Sequence, residues 1–118
     1  MMRSRMRRDL TSALKARDGT VVAALKSALA AIDNAEAVAD DRAAPQESNN
    51  EHIAGATAGA GSSDVPRRML SEVEMKTVVR GQVEERCEAA DLYEKLGRED
   101  QATRLRREAA VLTEYLTD

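Results

Sequence analysis

The chain has one histidine, His52, and one cysteine, Cys87, and neither stands in an arrangement that does chemistry. His52 lies beside Glu51, and a metal or acid–base site there would need partners at ligand spacing that the stretch lacks. It reads as an exposed loop residue. Cys87 sits among Glu85, Arg86 and Glu88 in a helical pattern, near an apolar stripe. With no base to activate it, it reads as a small buried or half-buried residue, not a nucleophile. A single cysteine also excludes an intrachain disulfide and a Cys-rich zinc site. The acidic residues of the C-terminal half include no Glu-x-x-His, the pair that marks a di-iron bundle. Gly97-Arg98 lacks the preceding strand and the glycine spacing of a phosphate loop. No catalytic residue, cofactor or metal is expected.

The basic residues carry more signal. Residues 1–17 hold Arg3, Arg5, Arg7, Arg8, Lys15 and Arg17 against Asp9 alone. Residues 33–64 hold Asp33, Glu36, Asp40, Asp41, Glu47, Glu51 and Asp64 against Arg42 alone, so the net charge of −3 hides a basic head and an acidic connector. Arg3, Arg7, Arg8 and Lys15 are expected to project from the polar side of a first helix, with Lys26 extending the patch onto a second. Such a patch can neutralise several phosphates without reading sequence, which gives salt-sensitive binding to RNA. An ordinary solvated helix surface has the same composition. An Arg-rich, acid-poor start also resembles an organellar transit peptide, but here the first helix is needed to complete the fold. Phe and Trp are absent and Tyr occurs twice, so the usual stacking platform for single-stranded nucleic acid is missing.

The elements that must position these residues read as helices. A chain of 118 residues forms one domain at most, and without Phe or Trp its core is expected to be Leu, Val and Ala. Met6, Leu10, Ala13 and Leu14 fall at i, i+4, i+7 and i+8, predicting a helix over about Ser4–Arg17. Asp18-Gly19 breaks it, and Asp18 caps a second helix over about 20–38 with Val21, Val22, Leu25, Ala28, Leu29 and Ile32 inward. A long Ala/Gly/Ser-rich linker follows over about 39–69, holding Pro45, Pro66 and a possible helical turn at Glu51–Ala54. The third helix, about 72–96, opens on a capping box, Ser71 with Glu74, and a hydrophobic staple, Leu70 with Met75. Its stripe is Val79, Val83, Ala90 and Tyr93, with Val73, Ala89, Leu92 and Leu96 close by. Gly81 in its interior marks a close helix contact or a slight bend. Gly97 reverses the chain into a fourth helix, about 99–116, with Ala102, Leu105, Ala109, Leu112 and Leu116 inward. Exposed faces carry acid-before-base pairs Glu72–Lys76, Asp91–Lys95 and Asp100–Arg104. The predicted fold is all-α: two antiparallel helical hairpins packed as a four-helix bundle. No apolar run is long enough for a membrane span or a secretory signal, so the expected location is cytoplasmic.

The stretch from Leu70 to Leu116 also carries a family pattern. Its capped start, the run Arg86…Ala90…Tyr93 leading into Gly97-Arg98, then Asp100, Ala102, Glu108, Leu112 and Tyr115-Leu116, resemble the N-terminal helical half of the GatB/YqeY domain family. Residues 7–36, RRDLTSALKARDGTVVAALKSALAAIDNAE, resemble that family's basic opening helix and its Lys/Arg-Asp turn. The resemblance implies a single helical domain over 1–118. It also implies a tRNA-binding or accessory role in glutamine-dependent tRNA amidation, with tRNA or amidotransferase subunits as partners. At family level it implies a carbon–nitrogen ligase association. No glutaminase nucleophile, ATP-binding loop or amidation site accompanies it, so the chain is expected not to be catalytic alone. Two departures stand out: the linker is longer than the connector expected, and the family's C-terminal helical part does not follow Tyr115-Leu116. The rival reading is a protein-interaction module, since ADLYEKLGREDQA also looks like the turn of a tetratricopeptide-type hairpin. That repeat recurs about every 34 residues, and here it occurs once.

Overall fold

A computed structural model of the chain describes residues 1–43 and 69–117, with side chains for 1–38 and 69–117. The described residues form four helices and no strand: α1 (Met2–Ala16), α2 (Gly19–Ala43), α3 (Glu72–Lys95) and α4 (Glu99–Thr113). α1 starts earlier than the periodicity predicts because Met2 is buried, which adds a turn to the inward stripe Met2, Met6 and Ala13. α2 continues to Ala43 instead of fading near Ala39. The remainder of the expected linker, with His52 and the turn at Glu51–Ala54, lies outside the described residues. α4 stops at Thr113. The bonds Tyr115 N–H to Leu112 O and Leu116 N–H to Thr113 O, 3.0 and 2.9 Å, then tighten the chain into a turn.

The punctuation of the second hairpin follows its sequence. Ser71 Oγ accepts from Glu74 N–H at 3.1 Å, and Glu74 Oε1 accepts from Ser71 N–H at 2.8 Å, closing the capping box. Gly97 takes φ +79°, the left-handed conformation that ends α3. At the first hairpin the left-handed residue is Arg17, φ 58°, and not Gly19, which opens α2. Asp18 caps as expected, its Oδ1 accepting from Val21 N–H at 3.3 Å.

α2 packs against each of the other three helices, and α3 and α4 lie against each other along their length. The largest fully buried side chains among the described residues are Met6, Leu25, Ile32, Val79 and Leu112. Met2, Met75 and Tyr115 join them, so methionine and one aromatic ring supplement the expected Leu, Val and Ala. Ala24 and Ala28 on α2, and Ala102 and Ala109 on α4, are buried small residues that allow close approach. Leu14, Val73, Leu92 and Leu96, predicted near the apolar stripes, are exposed at 51%, 74%, 58% and 62%. Leu14, Val73 and Leu92 stand about 80° or more around their helices from the buried side chains, and Leu96 follows the last turn of α3. A Cβ at Gly81 would meet nothing within 4 Å, so no close helix contact requires that glycine.

A polar network crosses the core. Ser27 Oγ donates to Gln82 Oε1 at 2.9 Å, and Arg86 donates to that oxygen at 2.9 Å and to buried Glu108 at 3.0 Å. It joins α2, α3 and α4 with every partner satisfied, which fixes their register. At the tip of the hairpin, Arg106 donates to Asp91 and Glu94 at 3.0 and 2.7 Å. Asp91 thus bonds across the hairpin, where sequence spacing suggested Lys95. The two carboxylates hold the Arg106 guanidinium above its ordinary range, with Glu94 the larger cause.

Candidate nucleic-acid interface

Successive residues of α1 turn through about 100°. With Met2, Met6 and Ala13 facing the core, Arg8 and Lys15 stand together on the opposite face, with Arg7 beside them. All three are exposed, and no carboxylate among the described residues pairs with them. Lys26 is exposed on α2, and no hydrogen bond or ion pair joins it to α1.

Arg3 is placed differently from the others. It is half-buried on the side of α1 that faces α2, donating to Asp33 at 3.3 Å and to Glu36. The buried Glu36 carboxylate also accepts from Leu70 N–H at 3.1 Å. Arg3 and Glu36 therefore tie α1, α2 and the approach to α3 together, and the Arg3 charge is spent inside the fold.

The geometry adds residues that the sequence reading did not select. A cleft of about 530 Å³ opens where the first turns of α1 and α3 meet the turn after α4. Ser4, Arg5, Arg8 and Lys76 line it with Glu72, and Tyr115 forms part of its floor. The Arg5 guanidinium carbon lies 4.5 Å from the Tyr115 ring centroid, a cation–π contact. The Tyr115 hydroxyl donates to Asp9, clamping the C-terminal turn to α1. Burial first, and then that hydrogen bond, push the Tyr115 phenol above the ordinary tyrosine range. The available signal was spacing: Met2, Arg5 and Asp9, at i, i+3 and i+7, share one side of α1. The partner ring, more than 100 residues away, left no local trace.

Chemically, this end of the molecule can bind an anion. Cys87 is exposed, which corrects the buried or half-buried placement. Among the described residues, no group of His, Cys, Asp and Glu could hold a metal ion. No helix among them is long and apolar enough to cross a membrane.

A family model described as Yqey-like protein matches residues 60–118, half of the 118-residue chain. The chain belongs to the YqeY-like family. The YqeY-like match spans α3 and α4, while α1 and α2, which the resemblance was expected to include, lie outside it. No curated protein and no solved structure matches the chain. The exposed cations of α1 thus lie outside the YqeY-like match, whereas Lys76 and Tyr115 of the cleft lie within it.

Proposed function

We propose that this YqeY-like chain is a single non-catalytic helical domain, two antiparallel hairpins in a four-helix bundle. In this reading it binds tRNA and assists glutamine-dependent tRNA amidation in the cytoplasm. The observation that carries the reading is the exposed, unpaired set Arg7, Arg8 and Lys15 on the solvent face of α1. The GatB/YqeY resemblance supplies the class of RNA and amidotransferase subunits as further partners. Lys26 extends the surface on α2, and Arg3 supports it from within by fixing α1 on α2.

Three phosphate contacts would make log affinity fall with log salt at a slope of roughly −2 to −3. Electrophoretic shift of bulk tRNA is expected at low salt and lost at moderate salt. The Arg7→Glu/Arg8→Glu variant should bind no tRNA while keeping its helical circular dichroism. Absence of a shift at low salt, or a shift indifferent to charge reversal, removes the RNA reading. Glutaminase and amidotransferase assays on the chain should show no turnover.

One observation favours a second reading, the protein-interaction module. Leu92 and Leu96 are i, i+4 neighbours exposed at the tip of the α3–α4 hairpin. Capture of one protein partner without RNA, lost in Leu92→Ser/Leu96→Ser, would support it.

A further inference from the structure

We propose that the RNA surface of this chain crosses from α1 onto α4 through Arg107 and takes the phosphate backbone of double-helical RNA, not a single strand. This rests on the RNA reading of α1 and adds to it a second helix and a form of RNA. Arg107 is exposed, and no carboxylate among the described residues pairs with it. With Ala110 and Val111 it lines a groove of about 300 Å³ whose other wall is Asp18, Thr20 and Val21. The basic face of α1 ends at that wall, since Lys15 is in the last turn of α1, three residues before Asp18. Asp18 is engaged as the cap of α2, and Asp9 by the Tyr115 hydroxyl. Asp100 and Glu114 share the face of Arg107, each seven residues away, or about 10 Å along the axis of α4. That is about one Debye length at 0.1 M salt, so they border the contact without neutralising it.

Arg8 and Lys15 are likewise seven residues apart on one face of α1, about 10 Å along its axis, so each meets a different phosphate. Cations fixed along a helix suit phosphates fixed along a duplex, whereas a single strand loses chain freedom when it is held to them. Single strands recover that loss by stacking their bases on aromatic rings. This surface offers no such ring. Phe and Trp are absent, Tyr115 is buried against Arg5, and Tyr93 is half-buried in the inward stripe of α3. What remains is charge, and a double helix releases more counterion per neutralised phosphate than a single strand, roughly 0.9 against 0.7. Contacts of this kind follow the backbone and its shape, not the bases.

The test follows the fluorescence anisotropy of a labelled RNA duplex, and of each of its strands alone, titrated with the full chain at low salt. The duplex is expected to bind about fivefold tighter than either strand or more, and a duplex of scrambled sequence to bind equally well. Arg107→Gln should weaken duplex binding about threefold or more and flatten its log–log salt slope by about 1. Arg107→Lys, which keeps the charge, should bind like the native chain. Both variants should keep their helical circular dichroism, because Arg107 is exposed. Arg98→Gln, at the turn between α3 and α4, should leave the affinity unchanged. Equal binding of strand and duplex, or native affinity in folded Arg107→Gln, overturns the proposal. A tRNA shift that survives either result keeps the RNA reading of α1 while this one falls. Absence of any shift removes both.

Discussion

Glu36 is the residue on which the joint between the two hairpins turns. It is 2% exposed and satisfies both the Arg3 guanidinium and the Leu70 N–H. Removing one partner of a buried ion pair strands the other, which costs about 3–5 kcal/mol, whereas replacing both by apolar groups is often neutral. Asp33 still faces Arg3, so Glu36→Gln is expected to cost about 3 kcal/mol in urea unfolding. Arg3→Met/Glu36→Leu should cost less than Glu36→Gln alone. A double variant worse than the single would show that the pair stabilises outright. Tyr115 makes a second residue-scale prediction. Its phenol titrates higher folded than unfolded, so its contribution is complete below pH 10.0 and is lost as pH rises toward the folded value. The urea midpoint should therefore fall above about pH 10 in the native chain and fall less in Tyr115→Phe. Neither pairing could be read from sequence. Arg3 looked like any helix-surface cation, and Glu36 like one more acid in an acidic stretch. Only the fold brings together residues 33 and 106 positions apart.

At the scale of elements, helix starts and stops were legible wherever the signal is local. Ser71 with Glu74, Asp18, and Gly97 each act within a few residues of themselves, and the structure shows all three working as the sequence suggested. Asp18-Gly19 marks the break and Asp18 caps α2 as its sequence suggests, but nothing local to the pair shows that the left-handed residue is Arg17. A non-glycine residue there costs about 1 kcal/mol or more. Arg17→Gly should relieve that strain, less the entropy a glycine adds to the unfolded chain, for a net gain of about 0.5 kcal/mol. Gly81 is the converse case, since a Cβ meets nothing and φ is not positive. Gly81→Ala should therefore stabilise α3 by about 0.5–1 kcal/mol. Thermal unfolding of the two variants checks both. A loss on Gly81→Ala would mean that α3 meets a partner at that position after all.

Across the whole molecule, α2 holds the central position, packed against each of the other three helices. Periodicity fixes which side of a helix faces inward, and an apolar residue that is merely close to a stripe in sequence can fall outside it. Leu92 follows fully buried Ala90 by two residues yet lies about 160° around α3 from it and stands in solvent. The same geometry makes α1 the least embedded helix, held through α2, the Arg3–Glu36 pair and the Tyr115 clamp to Asp9 and Arg5. If these ties make one cooperative unit, loss of helix and release of α1 occur together. Tyr115 reports that release, because its ring sits against α1, and there is no Trp to obscure it. In a Tyr93→Phe background, tyrosine fluorescence and far-ultraviolet circular dichroism should give the same urea midpoint. Asp9→Asn/Arg5→Gln should lower both midpoints together by weakening the clamp. A fluorescence transition that precedes the loss of helix would show instead that α1 peels away first, presenting its cations on a separately mobile arm.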